Sequence, residues 1–505
     1  MRIAAPLLAL ALGGCMVGPN YRPPETVTPA HYGEAVPDQA TLPGGRIDGW
    51  WRVYQDPELD RLVDDALASN LDVKTAAARI AAARAQERIA RAALLPSANA
   101  DGQVQSQRFS KNAGLSSLAS AFGGGASGGQ AGGGGIALPG GFITTYSAGF
   151  DASWELDIFG GARRGIQSAR ARTEAAVWNG RDAQVSLVAE LVDDYFQVRL
   201  AQAREALTRA EVDRQARNLG IAEKSTMVGL VPEGDTIRQR AQLAVAQASI
   251  EPIVAEGKSE MHAIAVLLAR TPDSLILELS RPGAALPTPP MVPPGLPSDL
   301  LRRRPDIRAA ERNLAAATAD IGVATADLYP RISLTGVADL ISTSLATLFS
   351  GDSIQAMGAA KATFPILDFG HRRGVVAQRK AAADEAYFDY QQTVLEAFKD
   401  VEDALVRIRA ERQRNAQLRG GVADAERGLA AVNARYRTGL VDLTAVLDAQ
   451  QSVLQDRDQL AQSDAQLRRD LVSLYKALGG GWEGMPAIND DASAAAAYEL
   501  PRQKK

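Results

Sequence analysis

The chain is written twice. The stretch Trp154-Glu-Leu-Asp-Ile-Phe-Gly160 recurs as Phe364-Pro-Ile-Leu-Asp-Phe-Gly370, 210 residues later. The same offset relates Val228-Gly229-Leu230-Val231 to Thr438-Gly439-Leu440-Val441. It also relates the apolar series Val188, Leu191, Tyr195, Val198 to Phe398, Val401, Leu405, Ile408. A further pair, Leu95-Pro96-Ser97 and Tyr329-Pro330-Arg331, is offset by 234. An insertion of 24 residues in the first copy accounts for the difference, and the glycine-rich tract Gly123 to Gly135 is its natural place. Self-similarity at a fixed spacing means one structural unit built twice, so any fold must hold two like halves.

Each copy predicts the order helix, strand, loop, strand, long helix, helix. The strands show period two. In the first, Ala98, Ala100, Gly102 and Val104 alternate with Asn99, Asp101, Gln103 and Gln105. Its return strand alternates Tyr146, Ala148, Phe150, Ala152 and Trp154 with Thr145, Ser147, Asp151, Ser153 and Glu155. The second copy repeats this with Ile332, Leu334, Gly336 and Ala338. Its return strand is less clean, because Met357 and Ala359 fall on the polar face. Such alternation suits either a half-buried soluble sheet or a transmembrane barrel with lipid outside and water inside. Four strands cannot close a useful bore, and lipid does not tolerate an open edge. If these strands span, several chains must share one barrel.

No proline interrupts residues 160–228, and Val394, Phe398, Val401, Leu405 and Ile408 step by four and three in the second copy. These are coiled-coil spacings. Each helix would reach roughly 100 Å at 1.5 Å per residue.

The start of the chain favours the barrel over the soluble sheet. MRIAAPLLALALGGC has one basic residue, a short apolar run and small residues before Cys15, the only cysteine. This is a secretory signal, too short to span as a helix. Leu12-Gly13-Gly14-Cys15 resembles a bacterial lipobox, so Cys15 is the expected acylation site, and Met16 after it favours the outer membrane. The expected division is a signal peptide 1–14, a lipidated extended segment 15–56 and repeat 1 at 57–280. A Pro-rich linker 281–297, repeat 2 at 298–478 and a tail 479–505 follow. Strands are expected at about 97–109, 142–156, 331–341 and 354–367, and long helices at about 160–228 and 370–438.

Other signals weigh little. A formal net charge of -4 suggests no nucleic acid partner. One cysteine and three scattered histidines (His31, His262, His371) form no metal or triad pattern, so no cofactor, metal or enzymatic activity is expected. Asp368-Phe369-Gly370 mimics a kinase magnesium motif but has no catalytic loop or lysine strand in order, and it sits in a repeated context. The glycine tract lacks a Gly-Lys-Ser/Thr ending. Arg302-Arg303-Arg304-Pro305 reads as a solvated helix start, and Pro252, whose twin is Gln462, as a kink confined to one copy.

The residues resemble the TolC-like outer membrane factors, specifically the NodT-type lipoproteins of tripartite RND efflux systems. The resemblance rests on Cys15-Met-Val-Gly-Pro-Asn-Tyr-Arg-Pro-Pro24, Trp154 to Gly160, Tyr436-Arg-Thr-Gly439, Val446-Leu-Asp-Ala-Gln450 and Leu474-Tyr-Lys-Ala-Leu-Gly-Gly-Gly-Trp482. It implies a mainly α fold with a transmembrane β-barrel part: a trimer whose twelve-stranded barrel continues as a periplasmic helical barrel. It also implies a passive exit duct, docked by a periplasmic adaptor protein and fed by an inner-membrane RND pump; a duct for type I secretion or metal-ion efflux is the alternative. The resemblance makes the hairpin from Arg435 to Asp448 the periplasmic gate. Asp448 matches a constricting acidic ring, and Arg435 and Tyr436 match residues that tie the hairpin to its neighbour. Thr444 stands where relatives often have a bulky apolar group, and Gln451 where arginine is frequent. At the strand–helix corners, Trp154 and Phe364 suit an aromatic girdle, and Gly160 and Gly370 a sharp turn. Arg163, Arg164, Arg372 and Arg373 are expected to be hydrated just past the membrane edge.

Overall fold

A computed structural model describes residues 16–34, 47–108, 142–229, 232–281, 295 and 297–488. Cys15, the signal segment, the glycine-rich tract, most of the Pro-rich linker and residues 489–505 lie outside the described residues. The helices are α1 (Pro57–Ser69), α2 (Leu71–Ala92), α3 (Gly161–Met227), α4 (Glu233–Ala248), α5 (Ile250–Leu267), α6 (Ile276–Leu279), α7 (Pro297–Arg303), α8 (Pro305–Ala326), α9 (His371–Arg437) and α10 (Leu443–Ala477). The strands are β1 (Ser97–Arg108), β2 (Phe142–Leu156), β3 (Arg331–Ser342) and β4 (Ile354–Thr363). No described helix is long and apolar enough to cross a membrane.

The chain divides into two units. The first holds residues 1–21, 85–170 and 315–383, with a four-stranded antiparallel sheet in the order β1-β2-β3-β4. The hairpin registers repeat: Ser97 faces Ser153, and their counterparts Arg331 and Thr363 face each other. β1 and β4 are exposed along their whole length. β4 ends at Thr363 rather than near residue 367, because the ladder with β3 stops at Arg331 and residues beyond Thr363 have no strand to pair with.

The second unit holds residues 22–84, 171–314 and 384–505 and contains the main apolar cluster. Helix α1 shows how it is built. Asp56 caps it by accepting from Glu58 N at 3.0 Å, and Pro57 starts the first turn. Leu59, Leu62, Val63, Ala66 and Leu67 then fall on one buried face. Burying each leucine stabilises by about 1.5–3 kcal/mol relative to exposure. Trp50 stacks on Tyr475 at 4.8 Å, and Tyr54 meets Phe196 edge-on at 4.8 Å. The coiled-coil residues Val188, Leu191, Tyr195, Val198, Val401, Leu405 and Ile408 are buried in the same cluster.

Within this unit, two residues depart from the expectations set by the sequence. Arg304 is not a solvated helix-start charge: it donates to Asp306 Oδ2 at 2.6 Å, Asp400 Oδ2 at 3.0 Å and Ala477 O at 3.2 Å. It sits at the break between α7 and α8, where its fork ties three chain segments at once. The helix after the first tip is broken, but at Ser249, ahead of Pro252. The proline ring opposes the carbonyl four residues back, at Ala248, which is where α4 stops.

Candidate functional site

The hairpin between α9 and α10 is closed by backbone chemistry. Gly439 has φ 71°; its N–H bonds Tyr436 O at 2.9 Å, and Leu440 N bonds Arg435 O at 3.0 Å. This paired pattern ends a helix with a left-handed residue, which glycine adopts freely. Asp442 then caps α10 by accepting from Ala445 N at 3.1 Å. The first hairpin repeats the turn at Gly229, φ 72°, with Pro232 in place of the capping Asp442.

Thr444, Asp448 and Gln451 fall at steps of four and three along α10, opposite the buried stripe Val446, Leu447, Gln450 and Val453. Asp448 and Gln451 are exposed, and Thr444 is half-buried. Arg435 and Tyr436, across the turn, are exposed, and among the described residues their side chains make no hydrogen bond or ion pair. Near the tips, two of the contacts among the described residues join this hairpin to the first one. Arg238 Nη1 on α4 donates to Thr444 Oγ1 at 3.4 Å, and Asn218 Nδ2 on α3 to Gln450 Oε1 at 3.2 Å. Sequence reasoning missed Arg238. Its repeat twin is Asp448, so opposite charges at equivalent positions were the available signal.

At the first strand–helix corner, Gly160 has φ 79°. A Cβ there would lie 2.6 Å from the Met16 side chain, so the early chain packs directly on this glycine. Asp157 accepts from Ala162 N and Arg163 N, both at 3.0 Å, and from Arg163 Nε at 2.9 Å, capping α3. Trp154 Nε1 donates to Leu94 O at 2.9 Å, and Phe159 stacks on Tyr329 at 4.7 Å. Arg164 corrects the expectation of a hydrated charge: it is 2% exposed. Its guanidinium donates to Val17 O (3.1 Å), Gly18 O (3.1 Å) and Asn20 Oδ1 (2.8 Å). The extended segment after Cys15 covers it and supplies the acceptors that a buried arginine needs.

At the second corner, Gly370 has φ 89°, and a Cβ added there would meet nothing within 4 Å. Asp368 accepts from Gly370 N at 3.0 Å and Arg372 N at 3.2 Å. Those backbone N–H groups hold its carboxyl below the usual carboxylate range. The apparent magnesium motif is thus a helix cap. Arg372 donates to Asp327 O, while Arg373 is exposed.

Comparison with known proteins places these features in one family. Residues 62–256 and 296–480 match the model of the outer membrane efflux proteins. Nodulation protein T of Rhizobium leguminosarum bv. viciae is 31% identical over 487 residues, 95% of this chain and 94% of the relative. Outer membrane protein OprJ of Pseudomonas aeruginosa is 33% identical, covering 95% of this chain and 96% of its own. The solved structure of the outer-membrane channel OprN superposes with a TM-score of 0.81 at 34% identity, over 93% of this chain and all of that one. The chain belongs to the outer membrane efflux protein family and has the fold of its TolC-like channels.

Proposed function

We propose that this chain is the outer membrane duct of a tripartite RND-type efflux pump. Three copies share one twelve-stranded barrel and pass drugs or other small toxic compounds outward. A periplasmic adaptor protein opens the inner end, and an inner-membrane pump supplies the energy. The observation that carries this is the sheet: four alternating strands with two unpaired edges, in a chain of this family. Those edges can enter lipid only by pairing with further copies. The role requires passage and no bond chemistry, so no enzymatic activity is assigned. Acylation of Cys15 adds a membrane anchor, worth roughly 0.8 kcal/mol per buried methylene.

The gate belongs to the same reading. Three Asp448 carboxylates around a narrow pore repel one another and attract cations. Arg435 and Tyr436, whose side chains make no hydrogen bond or ion pair among the described residues, tie each hairpin to the next copy. The polar Thr444 gives this ring no apolar seal, and Gln451 removes one possible ion-pair partner of Asp448.

Affinity purification from membranes after crosslinking tests the function. An RND pump and its adaptor are expected with the chain; an ATP-driven secretion transporter alone would replace efflux by type I secretion. For the gate, Asp448→Ala should change single-channel conductance and weaken block by divalent cations. If both stay at the parent values, Asp448 is not the constriction. Fatty-acid labelling should vanish in Cys15→Ser.

A further inference from the structure

The two strand–helix corners repeat one another, and each holds a hollow. The second lies between the end of α8 and the start of α9. It has a volume of about 180 Å³ and is lined by Ala324, Asp327, Arg331, His371, Arg372 and Val375. In the first repeat, Ala90 and Ala93 stand for Ala324 and Asp327, and Gly161, Ala162 and Gly165 for His371, Arg372 and Val375. All five line the hollow at the first corner. Two glycines and an alanine thus replace a valine and two long polar side chains. The first hollow is larger, about 340 Å³, and runs on between α3 and α8 past Ile158, Val323 and Ala326. That volume is in the range of small-molecule sites.

The hollows also differ in charge. The second sets two arginines and His371 against Asp327. The first sets Glu155, Asp157 and Asp327 against Arg331. Two of those carboxylates are committed elsewhere. Asp157 caps α3 and holds Arg163 Nε at 2.9 Å, and Asp327 accepts from Arg331 Nη2 at 2.6 Å. Glu155 is not committed. Among the described residues it accepts no hydrogen bond, and its one ion-pair contact, Arg331 Nε, is 4.0 Å away. Both side chains of that pair are more than half exposed, so it contributes little. The charge open to a ligand is therefore negative, and it stands beside an apolar wall.

We propose that the hollow at the first corner binds a monovalent organic cation. Glu155 takes the charged group, and Ala90, Ala93, Val323 and Ala326 take the apolar body. Gly165 keeps the space open. It lies inside α3, where glycine weakens a helix, and a Cβ added there would meet nothing within 4 Å. No neighbour demands a glycine at this position; what the missing side chain leaves is the hollow itself. Val375, its counterpart, narrows the second hollow.

Glu155 belongs to the polar row of β2 and faces Ser333 of β3. In the shared-barrel reading that row lines the duct, and the inference rests on that reading. It gives each chain one resting point for a cationic compound on the duct wall, where the barrel meets the helices. A weak site suits this place, because a compound in transit has to leave as readily as it enters. The smaller, basic hollow of the second corner takes no cation, so the count is one for each chain rather than two.

Equilibrium dialysis of tetraphenylphosphonium against the purified full-length protein tests the site, with protein-free micelles as the blank. Tetraphenylborate, of the same shape and opposite charge, is the control. The cation should bind saturably, once for each chain. Glu155→Gln should weaken it about three- to fivefold and leave tetraphenylborate unchanged or tighter. Gly165→Val, which copies the second corner, should weaken the cation by at least about fivefold. Both substitutions fall in open or exposed positions and should leave thermal denaturation as in the parent. Absence of saturable cation binding overturns the site. Cation binding that neither variant changes places it elsewhere and overturns the assignment too, as does Glu155→Gln weakening both ions alike. An RND pump and adaptor that still copurify with a chain lacking this binding remove the hollow and leave the duct. Saturable binding that both variants weaken, in a chain that recruits no pump, keeps the site and removes the efflux role.

Discussion

The two long hairpins descend from one sequence pattern, but their middles are built differently. In the second, α9 against α10, a buried polar layer crosses the seam. Ser463, 0% exposed, donates to Glu411 Oε1 and accepts from Asn415 Nδ2 at 3.1 Å. Asn415 also donates to Asp464 Oδ1 at 2.9 Å, which Arg419 holds at 2.7 Å. The twins of Glu411 and Ser463 in the first hairpin are Ala201 and Ile253, both buried and apolar. There α3 and α5 approach closely: a Cβ on Gly257 would sit 3.0 Å from Ala201 Cβ. The first hairpin is also broken at Ser249, whereas α10 runs unbroken for 35 residues. In its middle the first hairpin combines small-residue contact with a partly exposed Arg204–Glu256 pair at 3.3 Å, whereas the second has a buried polar network that fixes its register. Apolar seams tolerate sliding; a buried polar layer is satisfied at one register only.

The largest effect expected from exchanging features is that of Gln462→Pro, which installs the first hairpin's proline in the unbroken helix. It should cost about 3 kcal/mol or more, by removing a helical hydrogen bond and forcing a kink. Thermal denaturation of the purified protein should show it, while Pro252→Gln should leave stability nearly unchanged. Next comes Ser463→Ile, the residue of its twin. It leaves the Glu411 carboxylate without its buried donor and should cost about 2–3 kcal/mol. Adding Glu411→Ala should recover most of that loss; if the double variant is no more stable than the single, the polar layer is not one cooperative unit.

A third difference is electrostatic. Burial, with Glu260, Glu190 and Asp193 nearby, raises the Asp194 carboxyl to about 7. Its twin is Ala404. A carboxyl raised in the folded state contributes stability that is full below its unfolded value near 4 and is lost as pH climbs towards 7. Stability should therefore fall between pH 4 and 7, and Asp194→Ala should flatten that part of the profile. An unchanged slope would place the titration elsewhere. The smallest effect is at the tips: Thr444→Val removes the long Arg238 contact and should change stability by under about 1 kcal/mol. A larger change would mean that this contact holds the tips together more firmly than its 3.4 Å length suggests.

Much of this was legible in the sequence. Period-two alternation marked three strands cleanly, because a sheet's two faces sort side chains, and the fourth less so, with Met357 and Ala359 on its polar face. The Gly160 and Gly370 corners were readable because few residues other than glycine take such angles. Arg164 and Arg304 were misread for a common reason. Both sit among other arginines at helix starts, and charge alone suggests solvent. Their acceptors are backbone carbonyls and carboxylates brought from far along the chain: Val17 and Gly18 for one, Asp400 and Ala477 for the other. No local pattern announces such partners. The candidate gate residues were found through resemblance, whereas Arg238 came to light only once α4 was seen beside α10.

The sequence by itself determined the duplication, the strand faces, the helix lengths and the glycine corners. These depend on periodicity and on single-residue conformational limits, both local. The tertiary structure alone decided which of two equivalent sites is covered. Phe159 and Phe369 are the same residue in the same motif, but only Phe159 lies beside a strand of its own chain. Burial is a property of neighbours, and neighbours are set by the order of strands in the sheet, not by a repeated local motif.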